Sequence, residues 1–350
     1  MSAVAVVVPP GVDDPTRVSG GNRYDRRACD GLRGRGWAVE EVTAPGRWPR
    51  PDPGALAGLG RALDRLADGA LVLVDGLVAS AAAAVLVPRS ARLRLVVLVH
   101  LPLGGADVPA GEEEAVLAAA RAVLTTSGWT RDRLLARYRL DPDRVHVARP
   151  GTDPAGTAPG TASGGRLLCV AALVRHKGQD LLVEALAALT WLPWTCRLVG
   201  PLDRDPAFVA ALTRRAAAAG IADRVALTGV AAGAALQREY RAADVLVAPS
   251  RTETYGMAVT EALAAGLPVV ATAVGGLPEA VGCTPAGRPG LLVPGEDPVA
   301  LAGALGCWLT EPALRTRLRG AARRRRRTLP RWRETAERIG SVLAAVGGQP

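Results

Sequence analysis

Residues 245–272 constrain this chain more than any other stretch. They read as a short apolar run, a loop, a helical stretch and a second short apolar run. The first run, 245–248, is wholly apolar and ends at Pro249. Residues 257–265 have helical composition and stop at Gly266. The second run, 268–272, is rich in valine. Short apolar runs of this kind are buried strands, and strand, helix and strand in this order make a parallel βαβ unit. Such units bind ligands at the carboxyl ends of their strands. Glu253 lies in that mouth, and Gly256 opens the helix, where unpaired backbone N–H groups offer a site for an anion. Glu261 follows about one and a half turns later, with a side chain tilted back toward the helix N-terminus. A ligand carrying both hydroxyls and phosphate, such as a nucleotide sugar, would use all of these groups.

The longer stretch from Ser250 to Val281 adds detail. Two glutamates with seven residues between them are followed by GLPVVAT and GGLPE. This ordered pattern resembles the donor-binding segment of the retaining glycosyltransferases of family 4. The resemblance implies the GT-B fold: α/β, with two Rossmann-like doubly wound domains facing each other across a cleft.

Length agrees with that expectation. Three hundred and fifty residues exceed one ordinary core and suggest two domains, and 49% of the residues are hydrophobic. The net charge of +10 is carried almost wholly by arginine, because Lys177 is the only lysine among 43 basic residues. Such an excess attracts nucleotide phosphates, an acidic acceptor or anionic headgroups. It is not a nucleic-acid signature, since no basic stretch carries interleaved aromatics. Five scattered cysteines, at 29, 169, 196, 283 and 307, form no CxxC pair and read as small buried hydrophobes in a reducing compartment. The opening MSAVAVVVPP lacks a basic region and has too short an apolar run for a signal peptide. No run approaches the ~20 apolar residues that span a bilayer. A cytoplasmic protein is expected, with peripheral membrane contact left open.

Strand and helix alternate along the first half. Strands are expected at 4–8, 37–42, 70–74, 93–100, 123–126 and 145–148. Helices are expected at 23–33, 55–67, 78–87 and 112–121, and from Ser127 as N-cap to 138. Residues 150–165 are Gly, Pro, Ala and Thr with almost no large apolar side chain, the composition of a linker. The alternation then restarts, with strands at 167–171, 196–199, 225–227, 245–248, 269–272 and 291–293. Helices are expected at 298–309, 313–326 and 331–346. The expected division is an N-terminal acceptor domain at 1–153, a linker at 154–165 and a donor-binding domain at 166–330. The resemblance implies that the last helix, within 331–350, packs back on the first domain.

Four further features are candidate sites. Gly20 and Gly21 follow the first strand and precede its helix, an unhindered backbone suited to close approach by phosphate. The pair resembles the family's glycine loop facing the donor diphosphate. His100 ends the fourth strand, hence at a carboxyl end, and matches the family's active-site histidine beside the transferred sugar. No second histidine or carboxylate stands at ligand spacing from it, so it is not read as a metal ligand. In AALVRHKGQDLLVEAL, Lys177 precedes a helix starting near Gly178, so its ammonium and the helix N-terminus converge on one anion. The sequence resembles the family's phosphate-binding pattern with one departure. The usual arginine, five residues before the lysine, falls on Ala172, and either Arg175 supplies that charge from a different direction or Lys177 serves alone. The fourth feature is the arginine run at 323–327, a solvated helix face or a contact for an anionic surface.

By resemblance, Glu253 contacts donor-sugar hydroxyls and Glu261 the ribose. Backbone N–H groups at Tyr255, Gly256 and Met257 face sugar and phosphate, and Val230, after LTG, is either a base contact or a buried valine in a loop that follows a strand. The expected activity is retaining transfer of a sugar from a nucleotide-diphosphate donor to an unidentified acceptor, with no metal and no other cofactor. Two alternatives stand beside it. One is another GT-B enzyme, such as an epimerase or a phosphorylase. The other is a non-catalytic nucleotide-sugar-binding protein, which Ala172 favours.

Overall fold

A computed structural model describes residues 2–14, 19–105 and 108–348. It divides into two compact units, one made of Met1–Gly151 with Pro330–Pro350, the other of Thr152–Leu329.

The first unit has six strands: β1 (Ala3–Val8), β2 (Ala38–Thr43), β3 (Leu71–Asp75), β4 (Arg94–Val99), β5 (Ala122–Thr125) and β6 (Val145–Val147). They form one parallel sheet in the order β2-β1-β3-β4-β5-β6. Every residue of β3 is buried, as expected of a strand covered on both faces by crossover helices. Strand order reverses direction at β1 and β3, so the crevice for a ligand opens where those two strands end.

Two expectations shift here. The helix expected from 23 begins at Gly20, because Ser19 caps it: its hydroxyl accepts from the Asn22 N–H at 3.1 Å. The two glycines therefore form the first helical turn and are not a loop before it. Low glycine propensity misplaces the start, and the cap decides it. The helix expected at 78–87 is two short ones, Gly76–Ala79 and Ala83–Arg89. The first is capped by Asp75, whose Oδ1 accepts from the Leu77 N–H at 2.7 Å.

The C-terminal helix, Trp332–Gly347, belongs to this first unit and lies on the helix Gly20–Arg33. Gly31 permits the close approach, since a Cβ there would meet that of Ala336 at 2.5 Å. Thr335 fixes the crossing by donating to the Arg149 carbonyl at 2.7 Å.

The second unit repeats the plan with β7 (Arg166–Val170), β8 (Thr195–Val199), β9 (Val225–Gly229), β10 (Val245–Ala248), β11 (Val269–Thr272) and β12 (Gly290–Val293). The sheet is parallel, in the order β12-β11-β10-β7-β8-β9, so its switch point lies at β7 and β10.

The segment 154–165, expected as a linker, is tied along this second unit. Ala158 donates its N–H to Ala265 at 2.8 Å, and Trp308 donates its indole N–H to the Gly164 carbonyl at 2.8 Å. The buried Asp244 carboxylate accepts from the Thr161 N–H, from the Thr161 hydroxyl at 2.7 Å and from the Arg166 N–H at 2.9 Å. Composition misreads the segment, because backbone and hydroxyl groups hold it, with only small side chains such as Ala155 and Ala158 packing on the core.

The arginine run is only partly a solvated face. Arg325 donates to the Val281 carbonyl at 3.3 Å, and Arg326 to the Thr157 hydroxyl at 2.5 Å and to the Ala155 carbonyl. Arg323, Arg324 and Arg327 are exposed. The five cysteines are free. Cys29, Cys169 and Cys196 are buried as expected, while Cys283 and Cys307 are exposed. Among the described residues no helix is long and apolar enough to cross a membrane.

Candidate active site

Each unit carries one cluster of charged side chains at its own switch point. In the first unit the cluster centres on His100, the residue after β4. Its Nε2 lies 2.7 Å from Asp25 Oδ1 and 3.3 Å from Asp75 Oδ2. Asp75 is the last residue of β3. Asp25 comes from the helix Gly20–Arg33, one turn after Gly21 and so on the same face. Gly21 lies against the imidazole; a Cβ there would sit 3.6 Å from His100 Cδ2. Tyr24 stands edge-on to the ring at 5.1 Å and donates its hydroxyl to the Ala148 carbonyl at 2.8 Å. Thus Gly20 and Gly21 open the helix whose next turn supplies two groups around His100.

The two carboxylates are almost wholly buried, at 3% and 5% exposure, whereas the imidazole keeps 18%. Burial alone would lower the His100 pKa, but the charges and hydrogen bonds of Asp25 and Asp75 reverse this and hold it up at about 10. Burial pushes Asp25 up to about 7, with Asp75 adding to the shift and His100 opposing it. Burial also acts to raise Asp75, yet hydrogen bonding to and charge on His100 keep it below the usual carboxylate range. The expectation that no carboxylate stands near His100 at ligand spacing is overturned. Two carboxylates do reach His100, with their ligand-type atoms all within 4.8 Å of one another. One imidazolium offsets one of the two carboxylates, Asp75, while burial lets Asp25 hold its own proton up to about pH 7.

The loop after His100 is held from below. The buried Glu113 accepts from the N–H groups of Leu103 and Gly104 at 2.8 Å each, from Ser80 at 2.8 Å and from Tyr138 at 2.6 Å. Leu101, beside His100, is 51% exposed and open to a ligand.

In the second unit, β7 leads through a 3-10 turn, Arg175–Lys177, to the left-handed Gly178 and the helix Gln179–Ala187. Gly178 is required twice: φ is +70°, and a Cβ would collide with the Pro249 carbonyl at the end of β10. That close approach brings Lys177 Nζ to 2.7 Å from Glu253 Oε2, with both side chains about one-fifth exposed (22% and 18%). Arg251 braces the pair. It is bidentate to Asp180 at 2.7 and 2.9 Å, donates to the Arg175 carbonyl at 2.7 Å and pairs with Glu296 at 2.8 Å. Its own N–H donates to the His176 carbonyl at 2.9 Å. Glu296 has φ of 56°, the one positive value outside glycine among the described residues. Such strain persists only where the surroundings enforce it. The glycines of GGLPE serve the same loop. Gly276 donates to the Glu253 carbonyl at 2.9 Å, and a Cβ on Gly275 would strike that carbonyl.

The helix Met257–Ala264 starts at the left-handed Gly256. Glu261 accepts from the buried Tyr240 hydroxyl at 2.9 Å, which fixes its carboxylate. Tyr255 is 3% exposed, so its side chain is buried away from any ligand. Met257 is half-buried. Val230, just past β9, is 44% exposed, so it is not a core valine. Arg175 has an exposed side chain directed to no polar partner among the described residues, and Ala172 contributes only its carbonyl, to Gln179 at 2.9 Å.

Sequence reasoning missed Asp25, Asp75, Glu113, Asp180 and Arg251. Asp75 carried a usable signal, a lone charge closing the apolar run LVLVD at a carboxyl end. Asp25 and Asp180 carried none, because their partners are 75 and 71 positions away, and Glu113 resembled any acidic residue in the first turn of a helix. Arg251 stood beside the motif but resembled any loop arginine.

Comparison with known proteins gives the class. The profile described as Glycosyltransferase Family 4 matches residues 18–155, and that described as Glycosyl transferases group 1 matches residues 164–311. A D-inositol 3-phosphate glycosyltransferase of Catenulispora acidiphila is 35% identical over 302 residues, spanning 79% of this chain and 71% of that protein. Another, from Acidothermus cellulolyticus, is 38% identical over 252 residues, spanning 66% of this chain and 54% of that protein. Among solved structures, sucrose-phosphate synthase of Thermosynechococcus elongatus superposes with a TM-score of 0.80 at 23% identity over 99% of both chains. HepE of Anabaena, solved with UDP and glucose, gives 0.78 at 19% identity over 98% and 99%. The chain belongs to the family-4 glycosyltransferases, and its fold is that of the GT-B enzymes.

Proposed function

We propose that this glycosyltransferase moves a sugar from a nucleotide diphosphate to a hydroxyl acceptor with retention of configuration and without a metal. One observation carries the reading: the chain's only ammonium side chain, Lys177, stands at a switch point 2.7 Å from Glu253. A diphosphate would take Lys177 from Glu253 and leave that carboxylate free to accept from sugar hydroxyls. The ammonium and the opening turn of the helix Met257–Ala264 then stabilise charge growing on the leaving phosphate. Glu261, held by Tyr240, accepts from the ribose. Val230 offers an exposed apolar surface for the base. Arg175 is free to move onto the phosphates, in place of the arginine absent at Ala172. His100 belongs with the transferred sugar. The acceptor attacks from the face that the phosphate leaves, and a phosphate oxygen takes its proton.

A uridine diphosphate sugar is the first donor to try, because HepE was solved with UDP-glucose. A phosphorylated polyol is the first acceptor, because the curated relatives are named for inositol phosphate. A thermal-shift screen of UDP-, GDP-, ADP- and dTDP-sugars, followed by NMR assignment of the product anomer with and without a chelator, tests the reading. An inverted anomer, or turnover abolished by the chelator, would overturn it. Ala172 keeps one other reading in play, binding without transfer. Tight binding of a donor that no acceptor discharges would establish that instead.

A further inference from the structure

The environment of His100 points to its chemical role. Nε2 faces Asp25 Oδ1 at 2.7 Å and Asp75 Oδ2 at 3.3 Å, and Asp75, kept below the usual carboxylate range, is ionised and only accepts, so this nitrogen carries a proton. Asp25 Oδ2 has no hydrogen-bond partner among the described residues, although Asp25 is 3% exposed. A neutral imidazole would leave the buried Asp75 carboxylate with no opposing charge, an expensive arrangement. The titratable groups facing the ring are Asp25 and Tyr24 from the helix Gly20–Arg33 and Asp75 from β3. Trp332 from the C-terminal helix reaches only Tyr24. Among the described residues, no lysine or arginine appears among the groups that shift Asp25, Asp75 or His100.

We propose that Asp25 and Asp75 are positioning residues that keep His100 an imidazolium, its Nδ1–H fixed as a hydrogen-bond donor to a sugar oxygen, so that His100 never serves as a base. The proposal rests on the glycosyltransferase reading for the identity of the acceptor oxygen, but not for the protonation state. The ring is anchored by Nε2, and Nδ1 has no partner among the described residues, which leaves the partly exposed side of the ring for ligand. The raised His100 pKa agrees with this, while those of the other two histidines move the opposite way. Burial, with Arg338 and Arg131, lowers His146, and burial, with Lys177, lowers His176.

Three histidines make the test direct, by ¹⁵N NMR of the imidazoles in the full chain, with His100 assigned through His100→Gln. At pH 8.5 one imidazole, His100, is expected to remain doubly protonated while the other two are neutral. In Asp75→Asn and Asp25→Asn its midpoint is expected to fall by more than one pH unit. Transfer by these variants is expected to drop about tenfold at pH 8 and to recover most of that loss at pH 6, where the imidazole is protonated without help. A purely structural role gives no such recovery. His100 titrating together with the other histidines in the unaltered protein would overturn the proposal, as would variants equally impaired at both pH values. The titration of the unaltered protein needs neither a variant nor turnover, so a wrong donor or acceptor assignment would show separately.

Discussion

The two units share one architecture and use charge in opposite ways. Around His100, one buried carboxylate is offset by one cation and a second acid, Asp25, holds its proton up to about pH 7, while the backbone N–H of Leu77 adds a further tether to Asp75. Around Lys177 a single ion pair is about one-fifth exposed, and its rigidity is supplied from outside by Arg251. The first arrangement is preset and resists exchange. The second is a pair whose partners can be traded for a ligand at modest cost, because water still screens both. Fixed charge suits a group that must present one donor in one direction. Exchangeable charge suits a site that must accept a diphosphate and release it.

The comparison breaks most readily at Lys177. Lys177→Ala is expected to lower kcat by about 100- to 1,000-fold, the scale for losing one transition-state charge contact. Lys177→Arg should restore only part of it, because the planar fork does not reproduce a point charge on a slim stem. Steady-state kinetics with the best donor of the screen checks both. A smaller effect is expected from Arg251→Met, which leaves Lys177 and Glu253 in place but unbraced. Donor KM should rise about tenfold with kcat changed less, the pattern of lost positioning in the ground state. Equal losses in both parameters would mean that Arg251 acts in the transition state.

A third expectation concerns stability and pH. The His100 pKa is raised to about 10, so its contribution is complete below the ordinary value of 6.5 and disappears as pH climbs through 10. Asp25, raised to about 7, has the same sign: its contribution holds below the usual carboxylate range and fades toward pH 7. Asp75, held low, stabilises above that range and is lost on acidification. Melting temperatures of the unaltered protein and of His100→Gln should therefore converge as pH approaches 10. A gap that is constant from pH 6 to 10 would contradict the charged cluster. The smallest effect is expected at Tyr240→Phe, which frees Glu261 from its 2.9 Å tether and should raise donor KM only a few-fold.

Much of this was legible in the residues. Strands such as 245–248 and 269–272 have no choice, since four or more consecutive apolar residues bounded by proline or glycine can only be buried. Lys177 and Glu253 were legible for a related reason. Each follows such a strand within a few residues, so chain order alone sends both to a carboxyl end. Gly20 and Gly21 were seen but misplaced, because a serine cap outweighs glycine's poor helical propensity. The strap at 154–165 was hidden, because its anchor is one buried aspartate some 80 positions away, Asp244.

The sequence by itself determined two βαβ halves, the side of each sheet on which chemistry could occur, and the one lysine able to meet a phosphate there. Periodicity and strand direction are local properties, and local properties survive in a linear string. Only the tertiary structure decided that Asp25 and Asp75 enclose His100 and that Arg251 steadies Lys177. Those contacts join segments 25 to 76 residues apart. No spacing rule reaches that far, because strand order in the sheet, and not order in the chain, sets which side chains meet.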